Sequence, residues 1–361
     1  MSTGVSNADL IDLQKTTLAN LPSMEFEVVL GLQSFPVIDL WFGQNKKQIE
    51  SGTMIERNIM LDTTGNARHV KLYQKTPINV GDVQNKITAP WCQVQTHYSI
   101  ERRESLRNRA PARYIDLLKG RRIDSTLDLA KLLERRAWAT PNSATDDLNP
   151  RGLPYWLSMC DNGVTSDGDF IGKTIRYGDA STSTNKAGID AALAANAMWC
   201  NYAGTYTAID GDFVKKMRRA FHACEFKSPV TVEDLRKGPL SNFKIYMGLD
   251  TLVAYEELTA SKNVGQNYGN DLAKFHGNTV FRRVEIVHTP SLNGESYAPV
   301  YGINHRNFYP IVQDGDWMRE SDPMMDLEQH NVITTFIDGS YQFFSKNVRE
   351  SGFVLHTPIA A

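Results

Sequence analysis

Residues 299–358 read PVYGINHRNFYPIVQDGDWMRESDPMMDLEQHNVITTFIDGSYQFFSKNVRESGFVLHTP. Three runs in this stretch, 300–303, 308–312 and 332–344, are rich in β-branched and aromatic side chains, and turn residues separate them, which predicts neighbouring strands of one large sheet. Almost no helical periodicity interrupts them. The polar residues are Arg, Glu, Asp, Gln and Asn spread along strand faces and turns, with no converging set that looks catalytic. Such a surface suits contact with other chains better than a pocket for a small substrate. Assembly is the first expectation.

Working outward, 361 residues correspond to two domains or one elaborated domain at about 150 residues each, and 41% hydrophobic content suffices for a real core. The formal charge of -2 gives no chain-wide basic field, so sequence-independent nucleic-acid binding by an isolated subunit is not expected. Cys92, Cys160, Cys200 and Cys224 lie far apart with no C-x-x-C pair, which argues against a disulfide framework or zinc site and for a reducing compartment. The opening MSTGVSNADLIDLQKTT lacks the basic start and apolar stretch of a signal peptide, and no window approaches 18 apolar residues, so no membrane partner is expected.

Residues 1–45 read as an arm with little core of its own: a short amphipathic piece at 10–21, Pro22, then an extended run over 26–42. Over 55–75 the pattern predicts a hairpin in which Ile59 and Leu61 alternate against Val70 and Leu72 across the turn at 62–66. Arg57, Arg68, Lys71 and Lys75 decorate it. A two-stranded ribbon is marginal in water, so one this charged must lie on its own body or on a neighbour. After Pro90 the chain turns helical. A helix over 111–120 ends at Gly120, and a second runs over 125–139, capped by Ser125 with Asp128 and striped by Leu129, Leu132, Leu133 and Ala137. Arg102, Arg103, Arg107, Arg109 and Arg113, with Arg121 and Arg122, form the densest positive charge in the chain. It reads equally as a solvated helix face and as a wall toward packaged nucleic acid or an acidic partner.

Residues 160–211 read as long surface loops with one short helix near 189–198. A helix returns at Asp212, with Asp210 as cap and Phe213, Met217, Ala220, Phe221 and Cys224 at helical spacing. Then follow a strand at 243–247, a helix capped by Asp250 and running to 262, and a strand at 284–287.

The succession NFKIYMGLD (242–250), DTLVAYEELTASK (250–262), RRVEIVHTP (282–290), YGINHRNFYPIV (301–312) and HNVITTFIDGSYQFFSKNVRESGFVL (330–355) resembles the second half of tailed-bacteriophage major capsid proteins. The most specific part is GDWMRESDPMMDLEQHNVITTFIDGSYQFF, 315–344. The resemblance implies an α+β Hong Kong 97-type capsid fold: N-terminal arm (1–45), extended hairpin loop (46–92), peripheral domain with a long spine helix and terminal strands (93–160 and 325–361) and axial domain (161–324). It implies copies that form pentamers and hexamers of an icosahedral head around double-stranded DNA, held by non-specific contacts, in the virion after passage through the host cytoplasm. Implied partners are further copies, a portal protein, a separate scaffolding protein, since no long helical extension opens the chain, and decoration proteins outside. Arg57, Arg68, Lys71 and Lys75 are then candidates to meet Asp314, Asp316, Glu320 and Asp322 of an adjacent subunit, and Arg102, Arg103, Arg107, Arg109 and Arg113 a candidate interior basic face. Some relatives join a hairpin lysine to a neighbour's asparagine with a glutamate's help. Lys71 and Lys75 lie in that region, with Asn331 or Asn347 as imaginable partners, but no motif fixes a pair and no crosslink is expected.

Two other classes compete. One is a cellular nanocompartment shell of the same fold, encapsulin-like, which the arginine-rich helix disfavours. The other is a nucleotide-binding or hydrolytic enzyme, resting on GDFIGKT at 168–174, which has three residues between its glycines where a phosphate-binding loop needs four and follows no hydrophobic strand. Asp161, Asp167 and Asp169 lack calcium-loop spacing, and His222 and Cys224 point apart around a helix. No cofactor, metal or catalytic residue is expected.

Overall fold

The computed structural model describes residues 35–50, 52–61, 67–75, 84–107, 111–224, 242–262, 279–282, 284–325 and 331–360, without the side chains of 105–107, 111–117 and 260–262. The expected amphipathic piece at 10–21 and the 26–34 part of the extended run lie outside them.

The strands of 299–358 do not share one sheet. Val300–Asn304 and Gly352–His356 enter a seven-stranded sheet in the order Val280–Phe281, Val284–His288, Phe243–Met247, Val300–Asn304, Gly352–His356, Asn201–Thr205, Asp169–Gly172. Phe308–Gln313 and Val332–Ser345 build a six-stranded sheet instead. The 14-residue Val332–Ser345 is its axis: Cys92–Glu101 pairs along one side, while Phe308–Gln313, Arg319–Glu320 and Met324–Met325 pair in turn along the other. Lys47–Ile49 adds in parallel to Phe308–Gln313.

The seven-stranded sheet is apolar on both faces because successive side chains point to opposite sides. Ile245, Met247, Phe353 and Leu355 face one cluster, with Phe213, Met217 and Phe221 of helix Gly211–Ala223 and Tyr255 of helix Leu249–Lys262. Tyr246, Tyr301 and Val354 face the other cluster, shared with the six-stranded sheet and the long helix. Asp210 caps Gly211–Ala223 as expected, its Oδ1 accepting from Asp212 and Phe213 N–H at 2.8 and 3.1 Å. Asp250 lies in the first turn of its helix; Asn293 supplies the cap by accepting the Leu249 N–H at 2.8 Å.

Gly352 is required where Gly352–His356 meets Val300–Asn304. Its φ is +147°, and a Cβ there would stand 1.9 Å from the Gly302 carbonyl oxygen. Gly302 opposes Phe353, whose ring occupies the space a side chain at 302 would need.

Four further expectations are corrected. First, one helix, Pro111–Ala137, runs through Gly120, which adds no clash and stays helical. Ser125 is thus no cap; its hydroxyl lies 2.9 Å from that of Thr96 on Cys92–Glu101. Leu129, Leu133 and Ala137 are buried as the stripe predicts, and Arg102–Arg107 forms an extra short helix. Second, Asn201–Thr205 within the supposed surface loops is a wholly buried strand, parallel to Gly352–His356. Third, the end of the arm has a core: Val37–Phe42 is a π-helical turn, and Val37 and Trp41 are fully buried. Fourth, the partner of Met54–Met60 is Gln84–Pro90, with Ile55 opposite Ala89 and Arg57 opposite Ile87, while 67–75 holds no strand. Gly352–His356, near the end of the chain, sits within the seven-stranded sheet.

Candidate assembly surfaces

The buried polar groups are largely satisfied within the chain. Trp41 Nε1 donates to the Tyr246 hydroxyl at 3.0 Å, which lies 2.9 Å from His305 Nε2. Burial first, and nearby Lys244 second, push the His305 pKa down to about 3, so the imidazole at the end of this chain of bonds is neutral. Glu134 on the long helix accepts from Val37 N–H at 2.9 Å and Trp138 Nε1 at 3.0 Å, tying the arm to the helix. Burial pushes its carboxyl up to about 7 against those two hydrogen bonds. Lys186 is fully buried with no carboxylate partner; its Nζ donates to the Gly172 carbonyl, Asn201 Oδ1 and the Trp156 carbonyl at 2.8, 2.9 and 3.3 Å. Those three acceptors match the three N–H bonds of an ammonium, whereas burial pulls the group down to about 7. These residues hold elements together around apolar side chains, and among the described residues no three metal-ligating groups cluster.

The near-match at 168–174 forms the edge strand Asp169–Gly172 and then the short strand Ile175–Arg176, with no helix N-terminus to receive a phosphate. Asp167 pairs with Arg219 at 3.0 Å and lies 3.7 Å from Lys216. All four cysteines are free and buried. Among the described residues no helix is long and apolar enough to cross a membrane.

The outward surfaces differ in kind. The root of the ribbon lies on its own body: Ile55, Ile87 and Ala89 are buried, Thr88 N–H donates to the Ala187 carbonyl at 2.9 Å, and Arg151 reaches the Thr88 carbonyl at 2.6 Å. Beyond that root, every residue of 67–75 is exposed, including Leu72 at 85% and Tyr73 at 97%. Arg68, Lys71 and Lys75 stand in this segment, and Arg57 on the strand below. Leu72 and Tyr73 thus stand exposed side by side in the sequence, which charge alone does not reveal.

The acidic candidates divide. Glu320 is engaged inside the subunit, accepting from Arg122 at 2.9 Å and from the Tyr98 hydroxyl at 2.6 Å. Asp316 accepts from Ser340 at 2.5 Å. Asp314 and Asp322 are exposed. Of the basic candidates, Arg103 is exposed with Glu101 at 3.8 Å, and Arg102 N–H donates to the Asn331 carbonyl at 2.9 Å. Arg109 and the side chains of Arg107 and Arg113 lie outside the described residues. Arg121 turns inward to Glu104 at 2.8 Å and the Ser99 carbonyl at 2.5 Å.

No protein-family model matches this sequence, and no curated protein matches it. Solved structures do. The chain is similar to the capsid protein in the Cyanophage A-1(L) capsid asymmetric unit, with a TM-score of 0.59 at 12% identity over 94% of this chain and 96% of that one. It is similar to that of the Myoviridae phage XM1 capsid, with a TM-score of 0.53 at 9% identity over 94% and 97%. It also matches the capsid of an empty GTA particle, with a TM-score of 0.51 at 10% identity over 94% and 96%. The fold is therefore the α+β Hong Kong 97-type fold of tailed-phage major capsid proteins, along nearly the whole chain.

Proposed function

We propose that this chain is the major capsid protein of a tailed double-stranded DNA bacteriophage, a structural subunit whose pentamers and hexamers close an icosahedral head. The observation that carries the reading is the exposed, partly apolar segment 67–75 on a capsid fold whose interior is otherwise self-sufficient. A monomer has no use for Leu72 and Tyr73 in water. A shell gives them neighbours, and rings of five and six follow from one heterologous contact repeated.

The subunit acts by geometry, with no catalytic residue or cofactor. The ribbon overlaps the adjacent subunit. Its Arg57, Arg68, Lys71 and Lys75 meet exposed acids such as Asp314 and Asp322, fixing register more than adding affinity. Arg102, Arg103, Arg107, Arg109 and Arg113 face packaged DNA through phosphate contacts. A scaffolding protein guides closure, a portal protein occupies one vertex, and decoration proteins bind outside. Assembly takes place in the host cytoplasm and ends in the virion.

The test is expression alone and with the genes beside it, followed by size-exclusion chromatography and negative-stain microscopy. Closed shells or curved sheets in either sample are expected. A monomer inert in both contradicts the reading.

A further inference from the structure

A cleft of about 650 Å³ lies between the ribbon and the body. Arg57 to Leu61 form one wall, and Asn307, Lys346, Asn347 and Arg349 another, with Met198 beside them. Behind it three cations converge on one aromatic ring. Lys47 Nζ lies 3.9 Å from the centroid of Tyr309 and Lys346 Nζ 5.5 Å from it, and Arg57 stands close enough to the same tyrosine to act on its hydroxyl. Among the described residues none of the three forms an ion pair, although the chain carries 41 acidic side chains against 39 lysines and arginines. Lys47 is held below its ordinary pKa, by burial first and then by Lys346 and Arg57. Lys47 and Arg57 are exposed and Lys346 is half-buried; three like charges gathered this close repel one another, and an anion seated among them relieves that repulsion.

The rest of the cleft indicates what kind of anion. Met60 and Met198 are 63% and 53% exposed, and both line it. Flexible thioethers beside a cationic centre suit a peptide carrying an acid next to an apolar residue. A phosphodiester backbone offers nothing to the methionines.

We propose that this cleft receives an acidic peptide segment from a second copy of the chain, its carboxylate among Lys47, Arg57 and Lys346 and an apolar neighbour on Met60 and Met198. This rests on the shell reading, which sets copies side by side, and it adds a receptor on the body side of the ribbon to the contact made by the ribbon's tip.

The test uses particles of the full chain, assembled from a mixture of ¹⁵N-labelled and unlabelled protein and treated with a zero-length carbodiimide crosslinker that joins lysine amines to carboxylates. Mixed-isotope peptides joining Lys47 or Lys346 to an Asp or Glu of another copy are expected in particles and absent from unassembled subunits. Double substitution Arg57→Glu and Lys346→Glu should leave the circular dichroism spectrum and melting temperature of the subunit unchanged while cutting particle yield at least tenfold. Intact particles without such crosslinks overturn this inference and leave the shell reading standing. So do crosslinks within one copy only, and so does protection of these lysines by packaged DNA that nuclease removes. Failure to form any particle overturns both.

Discussion

The junction around Trp41 and the segment at 67–75 carry similar side chains and treat them in opposite ways. At the junction, Trp41, Trp138, Tyr246 and Phe308 pack ring against ring at centroid distances of 5.1 to 6.0 Å, with the Trp41 indole N–H donating to the Tyr246 hydroxyl and that of Trp138 to Glu134. At 67–75, Val70, Leu72 and Tyr73 stand in water beside Arg68 and Lys71. Burying one large apolar side chain contributes about 1.5–3 kcal/mol. The junction has collected that within the subunit; segment 67–75 has not, and on the proposed shell reading another chain supplies its cover. On that reading folding and assembly rest on different residues, and substitutions should separate them.

The largest effect should come from Trp41→Ala, which removes a fully buried ring packed on Trp138 just past the long helix and on Tyr246, Phe308 and Phe343 of the two sheets. A loss of about 3–5 kcal/mol is expected in urea unfolding of the subunit, enough to leave it poorly folded. Next is Gly352→Ala. A methyl group against the Gly302 carbonyl, at a positive φ, should lower stability by about 1–3 kcal/mol, without the large change in near-ultraviolet aromatic signal expected of the Trp41 variant.

Glu134→Gln sharpens the comparison through pH. The folded carboxyl titrates near 7 because burial disfavours its charge, against an ordinary value of 4.5. The folded state therefore binds a proton that the unfolded state releases between those pH values. Stability from this group is fully present below about pH 4.5 and is lost as pH rises toward 7, on the order of 3 kcal/mol in all. Denaturation midpoints measured from pH 5 to 8 should slope less in the variant than in the parent. Equal slopes would mean the charge is better solvated than its burial implies.

The smallest effect on stability belongs to the tip. Leu72→Ser with Tyr73→Ser, or Lys71→Glu with Lys75→Glu, should change unfolding free energy by less than about 0.5 kcal/mol and leave a folded subunit that assembles poorly. Light scattering during assembly reads this directly; unchanged assembly would remove the segment from the contact.

How far these regions were legible in sequence follows from the same physics. The runs at 300–303, 308–312, 332–344 and 243–247 are strands as read, since β-branched and aromatic residues fit a pleated, half-buried surface. Their distribution between two sheets was not legible, because it depends on which edges meet. NYAGT at 201–205 was missed: small and polar residues at the centre of a sheet give no alternation when both faces are covered. The ribbon's strand was found with the wrong partner. Ile59 and Leu61 alternate as well against Val70 and Leu72 as the real pair does against QNKITAP at 84–90, and only burial of Ile87 and Ala89 on the body decides between them. Trp41 was assigned to a coreless arm because nothing local signals a core shared with residues some hundred or more positions away. The basic residues of the ribbon are legible as charge, whereas Leu72 reads only as one of the alternating residues of a hairpin strand and Tyr73 carries no signal of its own.

The most direct test of the division between folding and assembly is electron cryomicroscopy of the assembled particle at a resolution that traces 67–75. The expected map shows a closed shell in which Leu72 and Tyr73 are covered by another copy while the contacts of Trp41 remain as they are in the single chain. A shell in which that segment faces solvent, or an arm whose Trp41 leaves its pocket to bind a neighbour, would contradict it.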